Sequence, residues 1–362
     1  MNDVVVQRAT GESRSIWDAF VAARPEADIL QAWAWGEAMR VAGQPPLRLL
    51  ARDVDGRLCG LVQALVRRTS FGRSVLYAGH GPVWDRAAGD GAAVLVALLA
   101  ALRSAARERG AIVVKVDPAA SREEPDDAAA IATALMRAGL RPARHDLQAR
   151  TTTIVDLAGG PEAIARRWTP EARNLARRSA REGVAVEIVR SAEPAAIAAA
   201  HEVLAATGAR GGFRIHDAAF LERLAAELES SGGWYVGIGR LGDRTAGAMI
   251  VARTGNRAAY LYGGSLRHDT NRHANPGYGV MAAMMSALAA DGVRWLDLWG
   301  VYDPRDPEAD PTWMGFSAFK RRFGGRVLRH PGTFDLVVSP SWYALRDLRE
   351  RLRAGQLRRR AR

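Results

Sequence analysis

The stretch from residue 315 to 325, GFSAFKRRFGG, places three consecutive cations between two phenylalanines and ends on a pair of glycines. Lys320, Arg321 and Arg322 are residue types that bind phosphates and carboxylates. The phenylalanines recur at helical spacing, so they predict a short amphipathic helix with its rings on a core and a glycine at its end. That helix explains the phenylalanines and the glycines, and it leaves the three cations as candidates for function.

A second group of cations lies in PEARNLARRSAREG, residues 170–183, whose proline is typical of the first turn of a helix. Arg173 and Arg177 are four residues apart and share one face of this predicted helix. An anion-binding face and an ordinary solvated face show the same pattern, so both interpretations stay open.

The charge of the whole chain agrees with an anionic partner. The 362 residues carry 51 Lys and Arg against 39 Asp and Glu, a formal net charge of +12. Such an excess indicates a nucleic acid or an anionic membrane surface as partner. Arginine, alanine and glycine are abundant throughout, so part of the excess can equally reflect a GC-rich coding sequence.

Composition also bounds the class of protein. A hydrophobic content of 48% with 25% charged residues is typical of a soluble globular chain, and no apolar run approaches the roughly 18 residues of a membrane span. The start, MNDVVVQRATGES, has no secretory signal pattern, and a single cysteine excludes internal disulfides, so we expect a cytoplasmic protein. The histidines are scattered and no Walker lysine loop occurs, so neither a metal nor ATP is indicated.

The elements that must position these residues form a repeat. The first half reads RLLARDVDG, RLCGLVQALVRR, SVLYAGHGPVWD, AAVLVALLAALRSAARERG and AIVVKVDP. The second half reads WYVGIGRLGD, RTAGAMIVAR, RAAYLYGGSLR, GVMAAMMSALAADG and VRWLDLWG. Both predict strand, tight turn, strand, strand, helix and a strand carrying an aspartate, which indicates two copies of one α/β unit. This order resembles the core of the GNAT acyltransferase fold, so the expected class is α/β (α+β) with two tandem GNAT-like domains.

The chain also resembles the Fem family, the aminoacyl-tRNA-dependent transferases that build peptidoglycan interpeptide bridges. The resemblance rests on LQAWAWGEAMRVAG, LYAGHGPVWD, VVKVDP, TTTIVDL, ARNLARRSAREGVAVEIV, TGARGGFRIHDAAFLERL, AGAMIVA, YLYGGS, VRWLDLWG and above all GFSAFKRRFGG. It implies a first domain at 1–148 on the precursor side, completed by a returning segment at 331–362. It implies a second domain at 149–330 on the aminoacyl-tRNA side. No heptad insertion is visible, so we expect the type without a coiled-coil arm.

The resemblance implies transfer of an aminoacyl group from tRNA to an amine of a peptidoglycan precursor stem peptide. The expected partners are therefore aminoacyl-tRNA and a nucleotide- or lipid-linked muropeptide, with possible contact to the inner face of an anionic membrane. We expect a monomer that uses no cofactor, because the ester is already activated.

Catalytic roles follow from the same resemblance. Lys320 falls on the family's Phe-Lys position, where its ammonium is implied to meet the 3′ end of the acylated tRNA and the ester carbonyl. Phe319 beside it can stack on a base or pack in a core. Asp117, which ends AIVVKVDP, is the candidate that accepts the amine's proton or orients the acceptor. An aspartate before a proline can also simply cap a strand end. The flanking cations, Arg321 and Arg322, are expected to bind tRNA together with Arg173 and Arg177.

For the precursor, Arg210 and Arg214 match the family's arginine region, and Tyr260 and Tyr262 match its strand tyrosines. We expect the two rings to face opposite sides of the sheet, so that one of them enters the site. The chain departs from the family at its first clamp, WG-x-x-Lys. Here WGEAMR places Met39 at the lysine position and Arg40 one residue later. Either Arg40 substitutes after a small shift or the contact to the diphosphate is weaker.

Two other functions remain open. NPGYGVMAAMM could hold the pyrophosphate of an acyl-CoA at a helix start, although no arginine stands at the expected offset. A tRNA-dependent ligase acting on a small peptide would present the same amine chemistry.

Overall fold

The computed structural model describes residues 4–86, 91–122, 127–211, 215–266, 273–306 and 308–360, with side chains described as far as residue 352. The strands are β1 Val5–Arg8, β2 Pro46–Arg52, β3 Leu58–Arg68, β4 Ser74–His80, β5 Val83–Trp84, β6 Ala111–Pro118, β7 Arg141–Pro142, β8 Thr151–Asp156, β9 Val184–Val189, β10 Trp234–Leu241, β11 Arg244–Thr254, β12 Arg257–Ser265, β13 Trp295–Gly300, β14 Arg326–Arg329 and β15 Phe334–Val337. The helices are α1 Arg14–Ala23, α2 Trp33–Val41, α3 Gly91–Glu108, α4 Ala128–Arg137, α5 Gly160–Arg166, α6 Pro170–Arg181, α7 Pro194–Gly211, α8 Ala218–Glu229, α9 Pro276–Ala290, α10 Met314–Arg321 and α11 Pro340–Arg360.

The strands form two sheets of the same design. The first runs β1-β2-β3-β4-β6-β15-β7, with β5 beside β3, and the second runs β9-β10-β11-β12-β13-β8-β14. Each contains a parallel pair, β4 with β6 and β12 with β13, and α3 or α9 connects the members of the pair. Position by position the two orders correspond, so the predicted duplication is confirmed.

Helices cover both faces of the second sheet and join it to the first half. The α9 face packs Met281, Met284 and Leu288 against the strands, because this helix is apolar nearly all round. The opposite core combines α7 and α8 with α2, and it packs Trp35 of the first half against Phe220 of the second. One apolar core is therefore shared between the halves.

The first sheet is completed from the far end of the chain. Strand β15 pairs with β6 along Phe334–Val337, and the short β7 pairs with β15. The position that β15 holds in the first sheet is held in the second by β8, which comes from the beginning of that half. The expected domain limits at 148/149 and 330/331 stay a prediction, and the sheet membership is compatible with them.

The two parallel pairs differ in one respect. Strands β4 and β6 pair along their length, from Ser74 opposite Ala111 to His80 opposite Pro118. Strands β12 and β13 pair only from Arg257 to Ala259, although β12 continues to Ser265. Beyond Ala259 the strands no longer pair, which leaves a gap in the second sheet that the first sheet lacks. We call this the β12–β13 gap.

Helix α10 and the turn after it carry the opening motif, and its orientation differs from the prediction. Phe323 is fully buried, but Phe316 is 39% exposed, while Ser317 and Lys320 are the buried residues of the helix. The helix is thus turned so that the Ser317–Lys320 side, not the Phe316 side, meets the ends of the strands. The prediction that all three phenylalanines face a core was wrong at Phe316.

The glycine pair that follows is required by close packing. Gly324 has a φ of +71°, and a Cβ on it would lie 2.1 Å from the carbonyl oxygen of Arg167. A Cβ on Gly325 would lie 2.3 Å from Thr153. The turn after α10 can therefore pass the second sheet only where side chains are missing.

Candidate active site

Lys320 occupies the β12–β13 gap. Its Nζ donates a hydrogen bond to the carbonyl oxygen of Gly300, over 2.8 Å, and lies 5.4 Å from the centre of the Tyr260 ring. The Phe316 ring lies 4.9 Å from the same atom, and the side chain is only 7% exposed. Burial lowers the pKa of Lys320 to about 8, although the nearby Asp297 carboxylate acts in the opposite direction. The ammonium is therefore a fixed cation that can also release a proton near neutral pH.

Asp297 stands behind this lysine on β13. It is 1% exposed, and its Oδ1 accepts hydrogen bonds from the Thr152 hydroxyl and from the backbone N–H of Trp299, the latter over 2.7 Å. Arg122 donates to its Oδ2 from 3.3 Å. These donors satisfy the buried carboxylate and hold it in place.

Asp117 is the equivalent residue of the first half, at the end of β6. Its Oδ2 accepts from the hydroxyl of Tyr77 over 2.8 Å, and its Oδ1 accepts from the backbone N–H of His80 over 2.7 Å. A longer contact of 3.4 Å joins Oδ2 to the Thr333 hydroxyl. The side chain is 3% exposed, and burial raises the pKa of Asp117 to about 7. This value suits proton transfer at neutral pH.

One chain of buried charges connects the two aspartates. Arg122 donates to Asp297 and also to Asp28, over 3.4 Å, and Asp28 pairs with the ring Nδ1 of His80. Burial alone would lower the pKa of His80, but the Asp28 carboxylate outweighs it and raises this pKa. The same pairing keeps the pKa of Asp28 well below its usual range. Lys320 and Asp117 thus lie at the two ends of one cluster between the sheets.

The two halves have the same unusual backbone conformation at this junction. His80 has a φ of +49° and Trp299 a φ of +62°, both in the left-handed region that such residues rarely adopt. Each donates its backbone N–H to the aspartate of its own half, and the two rings lie 5.6 Å apart. Strained backbone of this kind concentrates at functional sites.

The predicted tyrosines do lie on opposite faces of the sheet. The cause is a β-bulge, since Tyr260 pairs with Val251 and Tyr262 with Ile250, leaving Leu261 as the extra residue. Tyr260 packs on the α9 face next to Lys320. Tyr262 packs on the opposite face, where its hydroxyl contacts Nδ1 of His216. In a regular strand, residues two apart would share one face.

The departure from the family at residue 39 has a structural counterpart. Met39 is buried in the shared core, 3% exposed, whereas the Arg40 guanidinium is on the surface and pairs with Glu37 over 3.2 Å. Arg67 of β3, which the sequence interpretation missed, is a better candidate than Arg40 for the clamp cation. It lies 4.7 Å from the centre of the Tyr77 ring, and Gln44 accepts from its Nε over 2.7 Å.

Arg67 also lies close enough to Asp117 for the carboxylate to act on its guanidinium, and it acts in turn on His216 of the second half, where it lowers the pKa. It therefore lies near both Asp117 of the first half and the His216 ring, which contacts Tyr262. Arg67 could have been identified from the sequence, because it lies at the end of an apolar strand that neighbours the strand of Tyr77.

The remaining predicted residues are more scattered. Arg210 is exposed at the end of α7 and donates to the Ser265 carbonyl from 3.0 Å, and Arg214 lies outside the described residues. Phe319 is half-buried against Tyr278 and Phe323, with ring centres 5.0 Å apart in each case. Its contacts are those of core packing.

The four expected tRNA cations divide into two kinds. Arg322 pairs with Glu171 over 2.8 Å and donates to the Tyr278 hydroxyl, and Arg173 donates to the Trp168 carbonyl. Arg177 and Arg321 are exposed, the latter donating to the Tyr302 carbonyl. Within the described ranges, neither of these two exposed arginines forms an ion pair. In the same part of the chain, no group of three His, Cys, Asp or Glu side chains could hold a metal ion, and no helix is long and apolar enough to cross a membrane.

Comparisons with known proteins support the fold. A family model described as an acetyltransferase (GNAT) domain matches residues 165–321, which include the β12–β13 gap and Lys320. A lipid II:glycine glycyltransferase of Staphylococcus haemolyticus is 23% identical, over 91% of this chain and 92% of that protein.

Two solved structures share the fold across the whole molecule. The crystal structure of FemX superposes with a TM-score of 0.80 at 19% identity and covers 94% of this chain and 99% of its own. The C-terminal domain of a putative lysylphosphatidylglycerol synthetase from Agrobacterium fabrum gives 0.56 at 15% identity, over 94% and 95%. The resemblance seen in the sequence is thus confirmed: the chain is an acyltransferase whose fold consists of two tandem GNAT-like domains, and it is similar to the Fem proteins over nearly its whole length.

Proposed function

We propose that the protein transfers an aminoacyl group from aminoacyl-tRNA to an amine of a peptidoglycan precursor stem peptide. The observation that carries this proposal is the Lys320 ammonium in the β12–β13 gap. Where two strands stop pairing, their backbone groups are free to bind a substrate, and a fixed cation there meets the charge that builds on an ester carbonyl. Relatives of the chain bear the name lipid II:glycine glycyltransferase, which supports a peptidoglycan precursor as the acceptor.

The residues of the cluster divide the chemistry between them. The acceptor amine forms a C–N bond to the ester carbonyl carbon while Asp117 takes the amine's proton. The bond from that carbon to the ribose oxygen then breaks, and the oxygen takes a proton from Lys320, whose pKa of about 8 suits a donor. Both side chains exchange protons with water afterwards. The ester is already activated, so no cofactor takes part.

We assign substrate binding to arginines that form no ion pair with a carboxylate among the described residues. Arg177 and Arg321 are proposed to contact tRNA phosphates, because they are the exposed members of the predicted set. Arg67 is proposed to replace the missing lysine clamp on the precursor diphosphate. Because the proposed donor is tRNA, the proposed reaction takes place in the cytoplasm. One copy of the chain contributes every residue of the cluster, so the proposed enzyme is a monomer.

A donor comparison tests this proposal. The purified protein is incubated with charged total tRNA or with acetyl-CoA, each beside a nucleotide-linked precursor, and mass spectrometry identifies the product. We expect an aminoacyl adduct that requires tRNA and disappears after ribonuclease treatment. A product that survives ribonuclease and requires a CoA thioester would contradict the assignment.

The acyl-CoA alternative is disfavoured by the start of α9. A Cβ on Gly279 would lie 2.6 Å from the Ser179 hydroxyl of α6, and one on Gly277 would lie 3.9 Å from the Phe319 ring. The Tyr278 backbone N–H already donates to Asn275. Gly279 therefore serves close packing against α6, where a pyrophosphate site would need open space, whereas Gly277 makes only an ordinary contact. A small peptide as acceptor remains the second outcome of the donor comparison, distinguished by offering such peptides beside the precursor.

A further inference from the structure

Helix α11 contacts the first sheet through the rings of Trp342 and Tyr343 and through polar side chains. Its polar residues face the first sheet, where the Tyr343 hydroxyl and Lys115 Nζ both bind Asp335 over 2.7 Å. A cavity of about 170 Å³ beneath the helix is lined by charged groups that include Lys115, Arg144, Arg346, Asp347 and Glu350. A surface helix that packs on a core normally turns its apolar side inward.

The leucines of α11 face solvent instead. Leu345, Leu348 and Leu352 are 39%, 53% and 59% exposed. At spacings of three and four residues they form one stripe along the helix. Phe71, at the tip of the turn between β3 and β4, extends this stripe, since its ring lies 6.1 Å from Trp342 and is 69% exposed. We call these four exposed residues the α11 face.

Cations surround the α11 face. The Arg349 guanidinium lies 5.5 Å from the Phe71 ring, and that of Arg73 lies 4.7 Å from the Trp342 ring. Arg68 and Arg73, with Arg109, line an adjoining cavity of about 460 Å³. Among the described residues, Arg68, Arg73 and Arg349 form no ion pair with a carboxylate. The face therefore combines exposed apolar side chains with uncompensated positive charge.

We propose that the α11 face binds the surface of an anionic lipid bilayer, with α11 lying in the plane of the interface. Leucines and a phenylalanine enter the acyl boundary while the arginines contact lipid phosphates, which is the composition of an interfacial helix. An RNA partner would use the arginines but leave the leucines in water. A second copy of the chain would bring two like-charged faces together.

The position of the face has a consequence for the acceptor, which rests on the proposed function. Lys115 under α11 and Asp117 in the cluster are two residues apart on β6, so they share one face of the sheet, about 7 Å apart along the strand. Docking through α11 would bring the acceptor-side carboxylate near the bilayer. A lipid-linked precursor is therefore the acceptor class that this geometry favours.

Vesicle flotation tests the binding surface. The protein is mixed with vesicles of phosphatidylcholine alone or with one quarter phosphatidylglycerol, and the bound fraction is measured against lipid concentration. A variant with Leu345→Gln, Leu348→Gln and Leu352→Gln should bind the anionic vesicles about tenfold more weakly. A control with Val54→Gln, Val96→Gln and Met136→Gln removes equally exposed apolar residues of α3, α4 and the β2–β3 turn, and it should bind as the wild type does.

Charge is tested separately with Arg73→Gln and Arg349→Gln, which should weaken binding to anionic vesicles and leave little salt dependence. Equal binding of the leucine variant and the wild type, or no binding by the wild type, would overturn the proposal. The proposal would also be overturned if the wild type formed a dimer and the leucine variant did not. A leucine variant that lost tRNA binding but bound vesicles as before would overturn it as well.

A transfer assay separates this proposal from the proposed function. The leucine variant should use a water-soluble, nucleotide-linked precursor at the wild-type rate and a lipid-linked precursor in anionic vesicles more slowly. If the wild type uses neither precursor, the proposed function fails, while the vesicle measurement still decides the binding surface. Equal rates on the lipid-linked precursor would overturn the link between docking and acceptor.

Discussion

Lysine is rare in this chain, and both lysines are buried. Of the 51 basic residues only Lys115 and Lys320 are lysines, and each is 7% exposed. Arginine stays charged in almost any setting, whereas burial lowers the pKa of an ammonium, so the two are not interchangeable where a proton must move. Lys115 forms a buried pair with Asp335, which leaves Lys320 as the lysine at the candidate active site. The scarcity of lysine was therefore a usable signal for this residue, independent of any motif.

Replacing Lys320 by methionine should remove the chemistry and keep the fold. A fixed cation at a developing oxyanion contributes on the order of 10²–10³ in rate, and methionine fills the same space without a buried charge. We expect the single-turnover rate to fall by about this factor, with unchanged circular dichroism and an unchanged or higher Tm. Arg321→Met on the same helix is the matched control and should retain the rate. Near-normal chemistry in Lys320→Met would refute the assigned role.

The pH dependence of turnover should be bell-shaped. Asp117 must be ionised to accept a proton, so kcat should rise as pH increases through about 7. Lys320 must be protonated, so kcat should fall as pH increases beyond about 8. The profile is measured with both substrates saturating. In Asp117→Asn the residual activity should lose the acidic limb, and a limb that survives would assign it to another group.

Asp117 should also reduce stability at alkaline pH. Burial raises its folded-state pKa from 3.8 to about 7, so the folded protein binds the proton more tightly than the unfolded chain. Stability from this group is then present at low pH and declines as pH rises between these two values. Asp117→Asn should have a higher Tm than the wild type at pH 8, and the difference should shrink at pH 5. Equal Tm differences at both values would show that the carboxylate is not perturbed.

At the scale of elements, the strands and helices were largely predictable and their orientations were not. Alternation and turn signals located the strand–helix pattern of both halves. The rotation of α10 that buries Lys320 and exposes Phe316 depends on the β12–β13 gap, a tertiary feature without a local pattern. The bulge at Leu261 is equally invisible, because nothing in YLYGGS distinguishes a bulged strand from a regular one.

Gly324 provides a test of how α10 is positioned. Gly324→Ala places a methyl group against the backbone of Arg167 at a φ of +71°, so it should destabilise the protein by about 2 kcal/mol or more and slow transfer. Gly315→Ala, at an open position of the same helix, should be neutral or stabilise by up to about 1 kcal/mol. Urea unfolding of both variants measures the difference. Similar stabilities would mean that the turn can shift without loss.

At the scale of the molecule, the duplication and the resemblance were readable, but the buried cluster was not. Asp28, His80 and Arg122 come from three distant segments and share no spacing. Their meeting depends on how the two sheets pack, which no periodicity encodes. The sequence did locate both ends of the cluster, Lys320 and Asp117, through the motifs that contain them.

The distribution of free cations predicts the salt dependence of tRNA binding. Arg177→Gln should weaken binding and lower the slope of log affinity against log salt by about one unit, since one phosphate contact is lost. Arg322→Gln should leave the slope nearly unchanged, because Glu171 already neutralises that guanidinium. Filter binding at several salt concentrations measures both. Equal slope changes for the two variants would show that Arg322 also contacts the RNA.

The strand that closes the first sheet sets an order for biosynthesis. Every strand of the second sheet lies between residues 151 and 329, so a ribosome has made that sheet in full before β15 is translated. The first sheet, although synthesised earlier, must wait with the edge of β6 unpaired until residues 334–337 emerge. The half made first is thus the half finished last. A nascent chain released before β15 would carry a complete second sheet beside an open first one, which exposes that edge to aggregation.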